Sequence, residues 1–497
     1  MSGTGEFTRT ELFWDGDWRR PRSTRRLDLV SPSTEAFLGS VPDADEEDVD
    51  AAVRSARTAL APESEWARLP QADRAEAIER LASALQARDQ PIKELLAHEI
   101  GRPLHTPPRP NRAAEILRYY ATLARTRESE STRPSPDPRP AGAVRSSRVR
   151  YEPVGVTAAI VPYNGTLEMG LYKVGPALAT GGSVVFKPSP QAPLEAYHLA
   201  EAAVEAGIPP GVINVVTGGA RAGRALVEHP GTDLVAFTGS TQTGRMIAES
   251  CGRALKPVVL ELGGKSAALV LEDADLDHFS RMVPYLCFTF AGQNCFIHSR
   301  ILAPRSRYAE VVDAVVTAAR SITVGDPFDP DTRMGPLISA EHRDRVENMI
   351  RTGTEEGAVL ATGGGRPGHL SRGWYLEPTV FAHADNHMSI SREEVFGPVT
   401  AVIPYEDEEE AVALANDSEY GLAGSVWTAD PARGEALAAR VDSGSVGINT
   451  YGFNSAAPLC GRRASGLGGE LGPESLHAYT RYQSLHLTDT DRATAPA

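Results

Sequence analysis

The sequence predicts an α/β protein built on two parallel sheets, and three observations carry that prediction. From residue 154 short β-branched runs alternate with Ala-rich amphipathic stretches: VGVTAAIVP, SVVFKPSP, GVINVVTG and DLVAFTGS. This is the signature of βαβ units. The alternation restarts near KPVVLELGGKSAALVLE and continues through HSRILAP, VTAVIPYE, SVWTADP and SVGINT, which predicts a second α/β unit and a boundary near residue 258. Finally, 497 residues is roughly three times the ~150 that one domain usually takes. Pro and Gly close the apolar runs, at the carboxyl ends where open α/β sheets bind ligands.

The elements follow in order. EEDVDAAVRSARTAL sets Val49, Ala52, Val53, Ala56 and Leu60 at intervals of three and four, one apolar helical face. QADRAEAIERLASALQAR repeats the pattern through Ile78, Leu81, Ala82 and Leu85, so two helices cover something larger. Residues 125–150 interleave Arg, acids and Pro and read as a solvated arm or loop.

Composition excludes several functions. With 41% apolar and 23% charged residues the chain is an ordinary globular one. A net charge of −15 argues against a nucleic-acid partner, whose phosphates need clustered Lys and Arg. The start, MSGTGEFTRTELFWDGDWRR, has no signal-peptide core, and no run approaches the roughly 20 apolar residues of a membrane span. A cytoplasmic enzyme is the expectation. Cys251, Cys287, Cys295 and Cys460 lack the short pairing of a zinc site, and no HExxH pattern occurs, so neither a metal nor a disulfide framework is expected.

Five places can carry chemistry. In FTGSTQTGRMIAES, Gly239, Ser240 and Gly244 form a strand-to-helix turn suited to a pyrophosphate, or a tight turn without a ligand. Lys187 in FKPSP ends a strand and could reach ribose hydroxyls, or be a surface lysine. Glu261 in LELGGKS could be a general base with a raised pKa, or a paired structural acid. Asn164 in VPYNGT could donate to an oxyanion, or simply turn the chain. Cys295 in AGQNCFIHSR is either a small buried apolar residue or a nucleophile.

FTGSTQTG, LELGGKS, GQNC, EEVFGP and INTYGFNSAAP, in this order, resemble the NAD(P)-dependent aldehyde dehydrogenase superfamily from about residue 10 to 485. The 34 positions from Glu261 to Cys295 and the 23 from Asn164 to Lys187 agree with its pattern. The resemblance implies that Cys295 is the nucleophile and Glu261 the base, with Asn164 and the Cys295 amide as oxyanion hole. It places Lys187, Ser189, Gly239, Ser240, Gly244, Leu262, Glu394 and Phe396 at the cofactor, and Asn449 in support of the pocket. It also implies a Rossmann-like cofactor domain (1–124 and 151–258), a catalytic α/β domain (259–445) and a pocket loop (446–469). A bridging element (125–150 and 470–497) would build homodimers or homotetramers.

Departures sharpen the expectation. Pro190 stands where many NAD-preferring relatives carry an acid on the adenine ribose, so NAD is expected with NADP tolerated. Thr166 replaces a usual proline, and Gly165 replaces an aromatic, which should widen the substrate tunnel for a bulky, aromatic or terpenoid-like aldehyde. Gly165, Met169, Tyr172, Asn294, Phe296 and Phe453 are its expected lining, with Met169, Tyr172, Phe296 and Phe453 alternatively plain core. Glu168 either points away from the tunnel or meets a cationic group of the substrate; Cys460 stands where a glycine is common. Two alternatives remain: acyl transfer from the same thioester to coenzyme A, disfavoured by Glu261, and a non-catalytic binding relative, disfavoured by Cys295, Glu261 and Asn164 together.

Overall fold

The computed structural model describes residues 5–105, 112–135 and 144–488. Its first sheet holds five parallel strands, in the order Ile213–Val215, Ser183–Lys187, Val156–Ile160, Leu234–Thr238 and Val258–Glu261. Short antiparallel strands close both edges: Leu12–Trp14 with Asp17–Arg19 on one side, Gly466–Leu467 on the other. Four of the five parallel strands are buried at every residue, which explains why they read as largely continuous apolar runs.

The second sheet runs Val359–Thr362, Thr379–Ala382, Val399–Tyr405, Arg300–Pro304, Ala267–Val270, Ala423–Trp427 and Ser445–Ile448, with only its first pair antiparallel. The change of sheet falls between Glu261 and Ala267 rather than at 258. Val258–Glu261 pairs in register with Leu234–Thr238, so its apolar residues belong to the first sheet's core. Segment 446–469 likewise serves both sheets, as Ile448 ends one edge strand and Gly466 begins another.

Both predicted helices form. Glu46–Thr58 starts at a capping box on Asp45 and buries Val49, Ala52, Val53 and Ala56. Gln71–Ala87 buries Ile78, Leu81, Ala82 and Leu85 and packs on the Arg112–Thr126 helix. The expected arm is not a loop. Glu130–Pro134, Ser146–Pro153 and Thr480–Leu487 make a three-stranded antiparallel sheet, because the arm's Ser and Arg residues pair backbone to backbone with the tail. Residues 136–143 and 489–497 of the expected bridging element lie outside the described residues.

Among the described residues no helix is long and apolar enough to cross a membrane.

Candidate active site

The loop bearing Cys295 follows the helix Leu276–Phe288 and a tight turn over Thr289–Gly292. Phe290, Ala291 and Gly292 all hold positive φ, 53°, 53° and 70°. A Cβ on Gly292 would lie 2.0 Å from the Gly397 carbonyl oxygen, so this position demands glycine. Gln293 then pins the loop. Its Nε2 donates to Phe290 O (3.1 Å) and Pro336 O (3.3 Å), and its Oε1 accepts from Tyr163 OH and Ile338 N, both at 3.0 Å. Asn294 Nδ2 donates to Thr289 O at 3.2 Å. Cys295 is thus held half-buried on a fully anchored segment.

Asn164 arrives from the first sheet. The strand Val156–Ile160 ends at a short turn over Tyr163–Gly165, which opens the helix Thr166–Thr180; Thr166 ties this start to Ala192 O at 2.9 Å. Asn164 Nδ2 donates to Gln293 O at 2.8 Å. An amide nitrogen carries two hydrogens, so one N–H remains for a developing oxyanion beside Cys295.

Glu261 ends its strand buried, and among the described residues neither carboxylate oxygen has a side-chain partner, the Gly461 backbone amide alone approaching it. Burial, and then the negative charge of Glu470, hold its pKa well above the usual carboxylate range, with Lys173 opposing. Lys173 and Glu470 form an ion pair at 0% and 2% exposure, and Lys173 Nζ also donates to Thr238 Oγ1 at 2.6 Å. The pair is therefore self-neutralised, leaving Glu261 as the uncompensated acid. The Cys295 thiol is pushed up to about 12 by burial, then by Glu394 and Glu261. At neutral pH it is a thiol that must lose a proton before it can attack.

Of the residues expected at the cofactor, Lys187, Ser189, Gly239, Ser240, Gly244 and Leu262 follow strands of the first sheet at their carboxyl ends, whereas Glu394 and Phe396 come from the segment leading into Val399–Tyr405 of the second. Ser240 caps the helix Thr241–Arg253, its side chain accepting from Thr243 N. Gly239 backs onto the Phe237 ring, and Gly244 lets that helix close on Leu262, whose side chain a Cβ would meet at 2.5 Å. Lys187 is buried at its strand end, its Nζ donating only to Pro188 O (3.1 Å), and burial lowers its pKa to about 8. A buried amine with so few partners suits ribose hydroxyls. Ser189 follows it, with its hydroxyl accepting from Gln191 N. Glu394 accepts from Gly264 N at 3.0 Å, and a Cβ on Gly263 would strike its carboxylate at 2.5 Å. Burial raises the Glu394 pKa to about 7. Phe396, at φ 55°, meets Tyr163 edge-on. The glycine cradle, the underpartnered lysine and the open helix end together fit a dinucleotide.

Cys295, Asn164 and Glu261 all line one cavity of about 660 Å³, as do Gly165, Met169, Tyr172, Asn294, Phe296 and Phe453. Phe296 meets Phe453 edge-on at 5.0 Å and stacks on Tyr451 at 5.8 Å, forming an aromatic wall. Gly165 does not leave simple empty space: the Met169 thioether packs against it, with Cε 3.3 Å from where a Cβ would be. Asn449 lies off the cavity and clamps Thr428, accepting from its N (2.9 Å) and donating to its O (2.8 Å), which sets the path of the loop to Tyr451 and Phe453. Glu168 does line the cavity, but its carboxylate is taken by Arg112 and Tyr172.

Sequence reasoning missed Gln293, Lys173, Glu470 and Arg112. Lys173 was detectable as a lone cation inside the apolar run LYKVGPALAT, and Gln293 sits within the GQNC motif; Glu470 and Arg112 carry no local signal.

Comparison with known proteins agrees with this geometry. Residues 18–485 match the aldehyde dehydrogenase family. Geranial dehydrogenase of Castellaniella defragrans is 49% identical over 478 residues, covering 96% of this chain and 98% of the relative. The chloroplastic betaine aldehyde dehydrogenase of Amaranthus hypochondriacus is 39% identical, covering 96% and 95%. The crystal structure of a Mycobacterium tuberculosis aldehyde dehydrogenase complexed with NAD+ superposes with a TM-score of 0.91 at 42% identity, covering 96% and 98%. The chain belongs to the aldehyde dehydrogenase family, a class of oxidoreductases acting on the aldehyde group.

Proposed function

We propose that this enzyme uses NAD to oxidise a bulky, neutral, largely apolar aldehyde to its carboxylic acid, with Cys295 as nucleophile. The observation that carries the reading is the convergence of Cys295, Asn164 and Glu261 on one cavity whose outer wall is aromatic. The 49% identity to a geranial dehydrogenase supports the terpenoid-like class, and solved relatives bound to NAD+ support the cofactor.

The residues divide the work. Cys295 Sγ adds to the aldehyde carbon once its proton is gone, and the new oxyanion accepts from the free N–H of Asn164 and the Cys295 amide. The oxyanion re-forms C=O as hydride leaves the same carbon, which leaves a thioester on Cys295; nicotinamide, when bound, would supply the acceptor for that hydride. Lys187, Ser189 and Glu394 would hold its ribose groups, and Gly239, Ser240, Gly244, Leu262 and Phe396 its phosphates and ring. Glu261 then takes a proton from water, which adds to the thioester carbon and releases acid and thiol. Because no side chain among the described residues engages the Glu261 carboxylate, it is available to that water.

The domain roles follow: residues 1–124 and 151–261 for the cofactor, the second sheet for catalysis, and the three-stranded sheet for self-association into dimers or tetramers. Pro190, exposed beside Ser189, offers no carboxylate to a 2′-phosphate, so NADP is also accepted. A panel of neutral aldehydes with NAD or NADP, read by reduced-cofactor absorbance and acid product, tests all of this. Geranial-sized aldehydes should outperform acetaldehyde, and Cys295→Ala should abolish turnover. Retained turnover in that variant overturns the mechanism, coenzyme A dependence overturns hydrolysis, and an NAD over NADP preference in the thousands overturns the cofactor tolerance.

A further inference from the structure

Glu168 is a carboxylate in the cavity lining, separate from the Glu261 and Glu470 carboxylates, and it stands in the first turn of the helix Thr166–Thr180. Tyr172 follows four positions later, so the two share a helical face. Left alone, such an acid would attract an ammonium group, since opposite charges interact strongly where water is sparse.

It is not left alone. Arg112 Nε lies 2.8 Å from Glu168 Oε1, and Tyr172 OH donates to the same oxygen at 2.8 Å. Arg112 Nη2 donates to Tyr172 OH at 3.3 Å, and its guanidinium carbon sits 5.8 Å from the Phe453 ring centre. The contacts draw on two helices and the 449–459 loop, so they hold three walls of the cavity together. The side chains are 17% (Arg112) and 31% (Glu168) exposed, shielded enough for pairing to matter. Arg102, Arg281 and Arg333 also line the cavity and form no ion pair among the described residues. Away from the Lys173–Glu470 pair and Glu261, the cavity thus presents cations and one neutralised acid.

We infer that the Arg112–Glu168–Tyr172 cluster sets charge selectivity: by occupying Glu168, Arg112 excludes ammonium-bearing aldehydes and keeps the cavity for neutral ones. Arg112 acts through Glu168 and is a positioning residue. The inference deepens the aldehyde oxidation proposed above and rests on it.

The test uses two aldehydes of nearly equal shape, 3,3-dimethylbutanal and trimethylammonioacetaldehyde, which differ in one quaternary atom, carbon or N+. The readout is the ratio of kcat/KM for the cation over the neutral compound. The wild type should favour the neutral aldehyde. Arg112→Met should raise the ratio at least about tenfold, as expected for a freed, partly buried carboxylate. Arg112→Lys should keep the low ratio, and Glu168→Gln added to Arg112→Met should restore it. Glu168→Gln alone, which leaves Arg112 unpaired, should lower the ratio further and serves if Arg112→Met does not fold. A ratio unchanged in active Arg112→Met enzyme, or unchanged in Glu168→Gln where that variant must serve, overturns the inference while leaving the aldehyde oxidation standing. A wild type that reduces NAD with no aldehyde overturns both.

Discussion

The inner end of the cavity and its outer wall treat charge in opposite ways. Around Cys295, among the described residues, both oxygens of Glu261 and the Oδ1 of Asn164 are buried without a side-chain hydrogen-bond partner. On the side of Arg112, the guanidinium pairs with Glu168, Tyr172 donates to the same carboxylate, and Phe296, Phe453 and Tyr451 pack ring against ring. Unpaired buried polar groups are costly, so they persist where a reacting molecule or water completes them. An ion pair braced by a tyrosine and packed rings is rigid, which suits the selection by shape and charge proposed above. The contrast separates residues that act on the carbonyl from residues that admit it.

Substitutions can break the contrast. The largest effect is expected from Glu261→Gln, which removes the base and should slow acid release by about 100- to 10,000-fold in steady-state turnover. The same variant has a distinctive stability signature. The folded-state pKa of Glu261 is raised, so the folded state binds more protons than the unfolded one and wild-type stability from this group falls as pH rises from its ordinary range toward the raised value. Glu261→Gln lacks that loss, and its Tm should gain on the wild type between acidic and alkaline buffer; a constant difference would argue against a strained acid.

Asn164→Ala comes next, lowering kcat about 100- to 1,000-fold through loss of an oxyanion donor. It also cuts the Gln293 O contact, so Tm should fall by the equivalent of about 1 kcal/mol. Loss of Tm with full kcat would make Asn164 a loop clamp only. The smallest effect is Gly165→Phe. The ring must displace Met169, so kcat/KM for geranial-sized aldehydes should drop about tenfold relative to acetaldehyde. Equal losses for both would show that the outer wall does not select by size.

Much of the fold was legible because parallel strands buried on both faces leave uninterrupted apolar runs, as VVFK and LVAFT do. The boundary at 258 was misplaced for the same reason: VVLE is equally apolar in either sheet, and only pairing with Leu234–Thr238 assigns it. The arm at 125–150 was read as a loop because its strands are polar and mostly half-buried or exposed, so they show no apolar alternation. In the site, Cys295, Glu261 and Asn164 were found through ordered motifs, whereas Glu470 and Arg112 belong to no motif and meet their partners across 297 and 56 positions of chain.

By itself the sequence determined the two-sheet α/β architecture, the chemical types available for catalysis and the loop that carries Cys295, because these depend on local pattern and composition. Only the tertiary structure decided which charges are spent on each other. Whether Glu168 is a free acid or half of an ion pair turns on a 2.8 Å approach by Arg112 from another helix. Side-chain pairing of that kind depends on distance in space, and linear spacing does not encode it.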